Sequence, residues 1–127
     1  MVKTVVNNGS ALGPYSSAVV AGDYCFVAGT GGLVPGTKRV AEGGIEAEIR
    51  QTMENLKSVI TEAGFRMAEV VSVTCYLRDL ADWSTLNEVY GPYFPEEPPA
   101  RAAVAVADLP AGLNVELTCV AYRGGRS

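Results

Sequence analysis

The stretch IEAEIRQTMENLKSVITEAGFRMAEVVSVTCYL, residues 45–77, changes its apolar spacing partway along and so decides the class of fold. The apolar side chains of its first part recur at steps of three and four residues: Ile45, Ile49, Met53, Leu56 and Ile60. This spacing predicts a helix over 45–63 with one buried stripe, ended by Gly64. From residue 70 onward every second residue is apolar, which predicts a strand over 70–77 with Val71 and Val73 on one face.

The sequence before this helix has the pattern of a β-hairpin. Two short apolar runs, 17–21 and 24–28, are joined by Gly22-Asp23, and a two-residue joint of this kind is typical of a tight turn. A glycine-rich loop over 29–36 is expected to follow.

The sequence after residue 77 has the pattern of a second helix followed by two more strands. The helix is expected to begin at a cap, Asp79 or Asp82, and to end near Phe94, with Pro92 disturbing its last turn. Its buried side would carry Trp83, Leu86, Tyr90 and Tyr93 or Phe94. Strands are expected over 102–107 and 115–122, and a short turn would place the last strand beside the strand that Arg101 begins.

This order of elements, β-β-α-β-α-β-β, favours a two-layer α+β fold. We expect a mixed sheet of about five or six strands with two helices packed on one face, in a single domain over 1–127. Both faces of the 102–107 strand are apolar, because Val104 and Val106 oppose Ala103 and Ala105. An apolar sheet face that no helix covers indicates self-association, for which closed cyclic symmetry is the usual form.

The composition argues against a nucleic-acid or membrane partner. The formal net charge is −4, and the basic residues concentrate only at Lys38-Arg39 and over 123–126, which we interpret as solvated loop and tail charges. No apolar leader is visible within the first ten residues, and the longest all-apolar stretch, 102–107, is too short to span a bilayer.

The cysteine and histidine content limits the chemistry. The chain has three cysteines at wide spacing and no histidine, which disfavours a metal site and excludes the usual serine and cysteine triads. Each cysteine lies in an apolar run and is expected to be a buried, reduced thiol, as in a cytoplasmic protein. The glycine-rich loop matches neither a dinucleotide motif nor a phosphate-binding loop, but it can offer backbone N–H and C=O groups to a ligand.

Two charged residues stand out in otherwise apolar strands. Arg101 heads a strand of small side chains that leave room for a ligand, and its planar fork suits a carboxylate. Glu116 lies between Val115 and Leu117 in the last strand. The pattern is equally typical of a half-buried Arg101–Glu116 ion pair, so both interpretations stay open. Tyr15 in its turn and Asn87 beside the apolar stripe of the second helix are, taken alone, ordinary packing, surface or capping residues.

These features together resemble the Rid family of reactive intermediate deaminases over almost the whole chain. The matching pieces occur in the family's order: Gly13-Pro14-Tyr15-Ser16, Gln51 to Leu56, Val73 to Asp79, Asn87 to Phe94, Pro99-Ala100-Arg101 and Val115-Glu116-Leu117.

The resemblance implies a chorismate-mutase-like homotrimer with sites at the subunit interfaces. It implies hydrolysis of a 2-imino or enamine acid to a 2-keto acid and ammonia, with no metal or cofactor. Arg101 would grip the substrate carboxylate and Glu116 would orient or activate water. Tyr15 from a neighbouring subunit would line the pocket, with Asn87 as a positioning residue nearby. An older endoribonuclease description of such proteins fits poorly with the acidic charge and the absent histidine.

The sequence departs from the family pattern at two places beside the expected site. Ala28-Gly29-Thr30 replaces Ser-Gly-Gln before the glycine loop, which changes the backbone groups that Gly29 and Thr30 would offer a ligand. Ala103 replaces a cysteine that often lines the pocket, which enlarges it. Two alternatives therefore remain: a pathway-specific deaminase of another carboxylated enamine, such as an aminomuconate-type acid, or a trimer that binds small carboxylates without catalysis.

Overall fold

The computed structural model describes residues 3–124, in which two helices pack against one face of a six-stranded mixed sheet. The strands are β1 (Thr4–Val6), β2 (Ala18–Ala21), β3 (Tyr24–Gly31), β4 (Val70–Leu77), β5 (Ala100–Ala105) and β6 (Val115–Tyr122). The helices are α1 (Ile45–Glu62) and α2 (Trp83–Tyr90). The strand order is β1-β2-β3-β6-β4-β5, and β4 and β5 are the only pair of described strands that run parallel. The predicted α+β class is confirmed, while part of the basic tail, including Arg126, lies outside the described residues.

Helix α1 supplies the centre of the core, as its spacing predicts. Ile49, Met53, Leu56 and Ile60 are fully buried against the sheet. The helix ends as expected at Gly64, where the N–H of Phe65 bonds to the carbonyl of Ile60 and that of Gly64 to Thr61. These paired bonds satisfy carbonyl groups that the helix end leaves free.

Strand β3 begins at Tyr24 as expected but ends later than predicted, and one further strand precedes the hairpin. The hairpin of β2 and β3 forms around Gly22-Asp23, but β3 continues to Gly31, so the first glycines of the expected loop are strand residues. Strand β1 was not predicted, because it is only 3 residues long and only Val6 is buried. It pairs with β2 at the edge of the sheet.

An irregularity in β4 reverses one assignment of faces. Val70 is buried and Val71 is exposed, whereas the alternation predicts Val71 on the face of Val73. The register with β6 shifts between Val70 and Ser72, as at a β-bulge. One extra residue in a strand moves the residues beyond it to the other face.

Helix α2 is shorter than predicted and exposes its first residue. It ends at Tyr90, and a 3-10 turn at Gly91–Tyr93 contains Pro92. Leu86, Tyr90 and Phe94 are buried as expected, but Trp83 is 45% exposed, and Val89 is an additional buried residue of the helix.

The last two strands are not neighbours. Strand β5 begins at Ala100, two residues before the predicted start, since pairing with β4 begins directly after Pro98-Pro99. The prediction that β6 lies beside β5 is wrong, because β4 pairs with both of them. The connection over 106–114 is long enough to cross the end of one strand, a distance of about 10 Å between the flanking strands.

The face of the sheet away from the helices, here called the open sheet face, carries large apolar side chains. Val5, Tyr24, Phe26, Val104 and Tyr122 are exposed on it. The rings of Tyr24 and Tyr122 lie 4.9 Å apart. The uncovered apolar face that the sequence predicts is therefore present in the chain.

Candidate active site

The seven residues predicted for the site fall into two separate groups. Tyr15, Gly29, Thr30 and Glu116 line one cleft, here called the Glu116 cleft. Asn87, Arg101 and Ala103 lie where β5 meets α2, here called the Arg101 cluster. A single chain thus holds each half of the predicted site, without bringing the halves together.

The Glu116 cleft has a volume of about 240 Å³ and places a carboxylate against bare backbone. Glu116 pairs with Gly31 across β6 and β3, and a Cβ at Gly29 would lie 2.8 Å from the carboxyl carbon of Glu116. A side chain at residue 29 would therefore displace the carboxylate. The register of β3 with β6 is irregular between Val27 and Thr30, as at the bulges that often lie beside ligand sites.

The electrostatic state of Glu116 differs from that of a surface glutamate. Within residues 3–124 it has neither a hydrogen bond nor an ion pair. Burial raises the pKa of its carboxyl group, because the charged form loses solvation. A carboxylate with a raised pKa and no protein partner is suited to exchanging protons with a bound molecule.

Two hydroxyl groups that line the Glu116 cleft have defined partners. The Tyr15 hydroxyl accepts a hydrogen bond from the N–H of Leu12 at 3.0 Å, which leaves its own proton for a ligand. The Thr30 hydroxyl donates to the carbonyl of Ala28 at 3.0 Å. Tyr15 is thus the hydroxyl that can donate into the cleft, and Thr30 contributes mainly backbone.

The Arg101 cluster holds a guanidinium group on an aromatic surface. Arg101 Nη2 donates to Asn87 Oδ1 at 2.7 Å. The guanidinium carbon lies 4.9 Å from the centre of the Tyr90 ring and 5.8 Å from that of Trp83. The cation–π contacts and one hydrogen bond to the side-chain amide of Asn87 fix the orientation of this cation without neutralising it. Ala103, two residues along the strand, leaves space on the same face.

The Arg101–Glu116 ion pair that the pattern left open does not form within the described chain. Val73 pairs with Arg101 on the helix side of the sheet, whereas Tyr76 pairs with Glu116 on the open sheet face. No acidic residue among 3–124 forms an ion pair with Arg101. The cation is therefore available to a ligand.

Two supporting residues were missed from the sequence. Trp83 was assigned to the core by its helical spacing, and only the structure shows it beside Arg101. Asn55, inside the Gln51 to Leu56 motif, donates from Nδ2 to the carbonyls of Gly31 at 2.9 Å and Leu33 at 2.8 Å. It holds the end of β3 that lines the Glu116 cleft. The sequence signal that could have identified Asn55 is a polar residue directly beside the apolar stripe of α1.

The cysteines and possible metal ligands offer no second reactive centre in the described part of the chain. All three cysteines are free and buried, and burial raises the pKa of Cys75 to about 11 and that of Cys119 to about 12. Thiols in that state are poor nucleophiles at neutral pH. No cluster of metal-ligating side chains occurs in residues 3–124, and no helix among them could cross a membrane.

This fold and these residues define a known class of protein. Residues 6–123 match the family described as Endoribonuclease L-PSP, and the chain belongs to this family, which includes the Rid proteins.

Individual relatives extend over most of the chain. A human 2-iminobutanoate/2-iminopropanoate deaminase is 38% identical over 114 residues, which cover 90% of this chain and 83% of that protein. A RutC family protein of Pyrococcus horikoshii is 41% identical over 112 residues, covering 88% and 89% of the two chains. The crystal structure of RidA from the Antarctic bacterium Psychrobacter has a TM-score of 0.88 at 38% identity, covering 94% of this chain and 98% of that one.

Proposed function

We propose that this protein is a hydrolytic deaminase that converts reactive 2-imino and enamine acids into 2-keto acids and ammonia. Its family membership and its likeness to the human 2-iminobutanoate/2-iminopropanoate deaminase support this class of activity. The observation that carries the proposal is the presence of two charged groups that no partner neutralises within the described chain. The Arg101 guanidinium has no carboxylate partner there, and the Glu116 carboxylate has no hydrogen-bond donor.

Arg101 binds the substrate carboxylate in this mechanism. Its fork can donate two parallel hydrogen bonds to one carboxylate, and Asn87 keeps the fork oriented from the opposite side. The Tyr90 and Trp83 rings favour the charged guanidinium without competing for its donors. The substrate is therefore held with its C2 atom at a fixed distance from the arginine.

Glu116 transfers a proton from the attacking water to the nitrogen atom of the substrate. Water attacks C2 of the protonated imine while Glu116 accepts a proton from that water, which gives a neutral carbinolamine. Glu116 then returns this proton to nitrogen, the C–N bond breaks as the C2 carbonyl forms, and the hydroxyl proton leaves with ammonia as ammonium. Imines hydrolyse readily, so positioning and proton transfer, the latter worth about 10²–10⁴-fold, suffice for catalysis.

The complete site requires a second copy of the chain. Since Arg101 and Glu116 lie on opposite faces of the sheet, the Arg101 cluster of one copy would complete the Glu116 cleft of its neighbour. Tyr15 lines the same cleft as Glu116, so both would come from that neighbour. We propose a cyclic homotrimer, in which the apolar open sheet face is buried and each interface holds one site.

One observation favours a second group of substrates. Ala103 is the small side chain beside Arg101 on the same face of β5, and the apolar residues Leu33, Val34 and Leu113 line the Glu116 cleft together with the carboxylate. A larger or unsaturated carboxylated enamine, such as an aminomuconate-type acid, would fit this space. The net charge of −4 and the absence of histidine oppose RNA binding and cleavage, which the endoribonuclease description of the family would require.

A competition assay tests the activity. A pyridoxal-phosphate-dependent enzyme generates 2-iminobutanoate in place, semicarbazide competes for the imine, and keto-acid formation is followed with and without this protein. We expect the protein to accelerate formation of the keto acid. Activity on an aminomuconate-type acid alone would support the narrower substrate class. The absence of any acceleration, together with tight binding of a 2-keto acid, would contradict catalysis and favour a carboxylate-binding trimer.

A further inference from the structure

Glu48, in the first turn of α1, is a buried carboxylate that none of the proposed catalytic steps uses. Its exposed fraction is 2%, although glutamate is seldom buried without compensating partners. Its oxygens accept three hydrogen bonds from the segment before Glu116. Oε2 accepts from the backbone N–H groups of Asn114 at 2.7 Å and Val115 at 3.2 Å, and Oε1 accepts from Asn114 Nδ2 at 2.8 Å.

These three bonds attach helix α1 to the start of β6. Asn114 and Val115 directly precede Glu116, and the 3-10 turn before them contains Ala111 with a φ of 57°. That turn is exposed, although Leu113, which follows it directly, is buried. The carbonyl of Asn114 also accepts from the N–H of Arg78, which ties the same point to the end of β4. The buried carboxylate is thus a polar link between helix α1 and the first residues of the strand that carries Glu116.

The same turn of α1 also contacts the other wall of the cleft. Gly32 lies so close to Glu48 that a Cβ there would be 2.3 Å from its carbonyl oxygen and 2.9 Å from its Cγ. Two turns further along, Asn55 holds the carbonyls of Gly31 and Leu33. Helix α1 therefore fixes both the end of β3 and the start of β6, which are the two strands that enclose Glu116.

We propose that Glu48 is a positioning residue for Glu116, acting through the backbone of Asn114 and Val115. This inference rests on the proposed function. The Glu116 carboxylate must lie within hydrogen-bond distance of the attacking water while Arg101 holds the substrate. A displacement of about 1 Å at such a group costs on the order of 10²-fold in rate.

Three substitutions separate positioning from general stability. Glu48→Ala removes all three acceptor contacts. Glu48→Gln keeps them in substance, because its oxygen can accept both backbone bonds while the Asn114 amide turns over to accept from the new amide. Thr52→Val is the matched control, since Thr52 is also buried, one turn away, and within residues 3–124 its hydroxyl bonds only to the carbonyl of Glu48, at 2.8 Å.

The kinetic test compares kcat with KM. We expect Glu48→Ala to lower kcat by roughly 10²-fold with little change in KM, because Arg101 still binds the carboxylate. Glu48→Gln and Thr52→Val should stay near the wild type. If Glu48→Ala does not fold, Asn114→Ala removes only the side-chain donor and should give an intermediate loss of kcat. Equal losses in Glu48→Ala and Thr52→Val, or an unchanged kcat in folded Glu48→Ala, would overturn the proposal.

A second readout does not depend on activity. Carbon-13 NMR of the glutamate carboxyl groups, with Glu116 assigned through Glu116→Gln, follows its titration directly; Tyr15 is the other titratable side chain lining the cleft within the described residues. Loosening of β6 admits water, so the raised pKa of Glu116 should fall toward its ordinary value in Glu48→Ala or Asn114→Ala and stay raised in Thr52→Val. An inactive wild type would refute the deaminase, while this titration would still decide whether Glu48 positions Glu116. An unchanged titration in the folded variants would refute that role.

Discussion

Arg101 and Glu116 point to opposite faces of the same sheet, and β4 separates the strands that carry them. Arg101 pairs with Val73 on the side that the helices cover, while Glu116 pairs with Tyr76 on the open sheet face. No rotamer change within one chain can bring such side chains onto one small substrate. The proposed chemistry therefore depends on two copies of the chain, each supplying one charge.

Removal of the Arg101 guanidinium should weaken the use of carboxylated substrates. Two charge-assisted hydrogen bonds are lost in Arg101→Ala, each worth about 1.5–3 kcal/mol, so kcat/KM should fall by at least about 100-fold. Arg101→Lys should recover only part of it, because an ammonium group cannot form the bidentate pair. Arg50→Ala is the matched control, since Arg50 forms only an exposed pair with Glu46. Steady-state kinetics on 2-iminobutanoate give kcat/KM for all three variants. Full activity in Arg101→Ala would refute the binding of the substrate carboxylate by Arg101.

The acid limb of the pH–rate profile should belong to Glu116. The ionised form accepts the proton, and burial raises the pKa of this group, so activity should be lost with falling pH above the range of an ordinary glutamate. Glu116→Gln should lose about 10²–10⁴-fold in kcat and also lose that limb. Glu46→Gln, an exposed carboxylate in α1, should leave the profile unchanged. An acid limb that persists in Glu116→Gln would assign the proton transfer to another group.

The same residue should reduce the stability of the fold at neutral pH. A group whose folded-state pKa is raised contributes stability below its unfolded-state pKa, and this stability is lost as the pH rises through the folded-state value. In a monomeric Phe26→Asp background, where no Arg101 of a second copy faces the carboxylate, Glu116→Gln should therefore raise the Tm at pH 7. The difference should vanish below the ordinary glutamate pKa of about 4.3. Thermal unfolding at both pH values measures this, and a lower Tm for Glu116→Gln at pH 7 in that background would contradict the desolvated state of Glu116.

The open sheet face should be required for assembly and, through it, for activity. Phe26 is 48% exposed at the centre of this face, and Phe26→Asp would place a charge in the buried interface of a trimer. We expect a folded monomer without deaminase activity, seen by sedimentation and circular dichroism. Ala68→Asp adds the same charge at an exposed 3-10 turn and should stay trimeric. A wild type that sediments as a monomer would remove the basis for a shared site.

Periodicity predicted the parts of the fold that depend on local spacing. The stripe of α1, the span of β4 and the hairpin at Gly22-Asp23 all follow from residues close in sequence. Strand neighbours do not, and this is why β6 was expected beside β5. The burial of Val70 in place of Val71 was missed for a related reason, because a bulge is set by pairing with β6 and not by β4 alone.

The candidate site could be predicted as a set of residues but not as an arrangement. Charges at Arg101 and Glu116 stand out because apolar neighbours surround them in sequence. Their separation by the sheet depends on strand order, which the spacing does not encode. Trp83, in contrast, does not stand out in the sequence. Its helical spacing is that of a core residue, yet its side chain is exposed beside the Arg101 guanidinium.

Complementation between two inactive variants tests the shared site most directly. Arg101→Ala and Glu116→Gln are each unfolded, mixed in equal amounts and refolded together, and deaminase activity is measured against wild type treated in the same way. In a cyclic assembly, each interface receives an intact Arg101 and an intact Glu116 with a probability of about one quarter. We predict recovery to about one quarter of wild-type activity, while each variant refolded alone stays inactive. No recovery in mixed, correctly assembled trimers would contradict an active site that is shared between two copies of the chain.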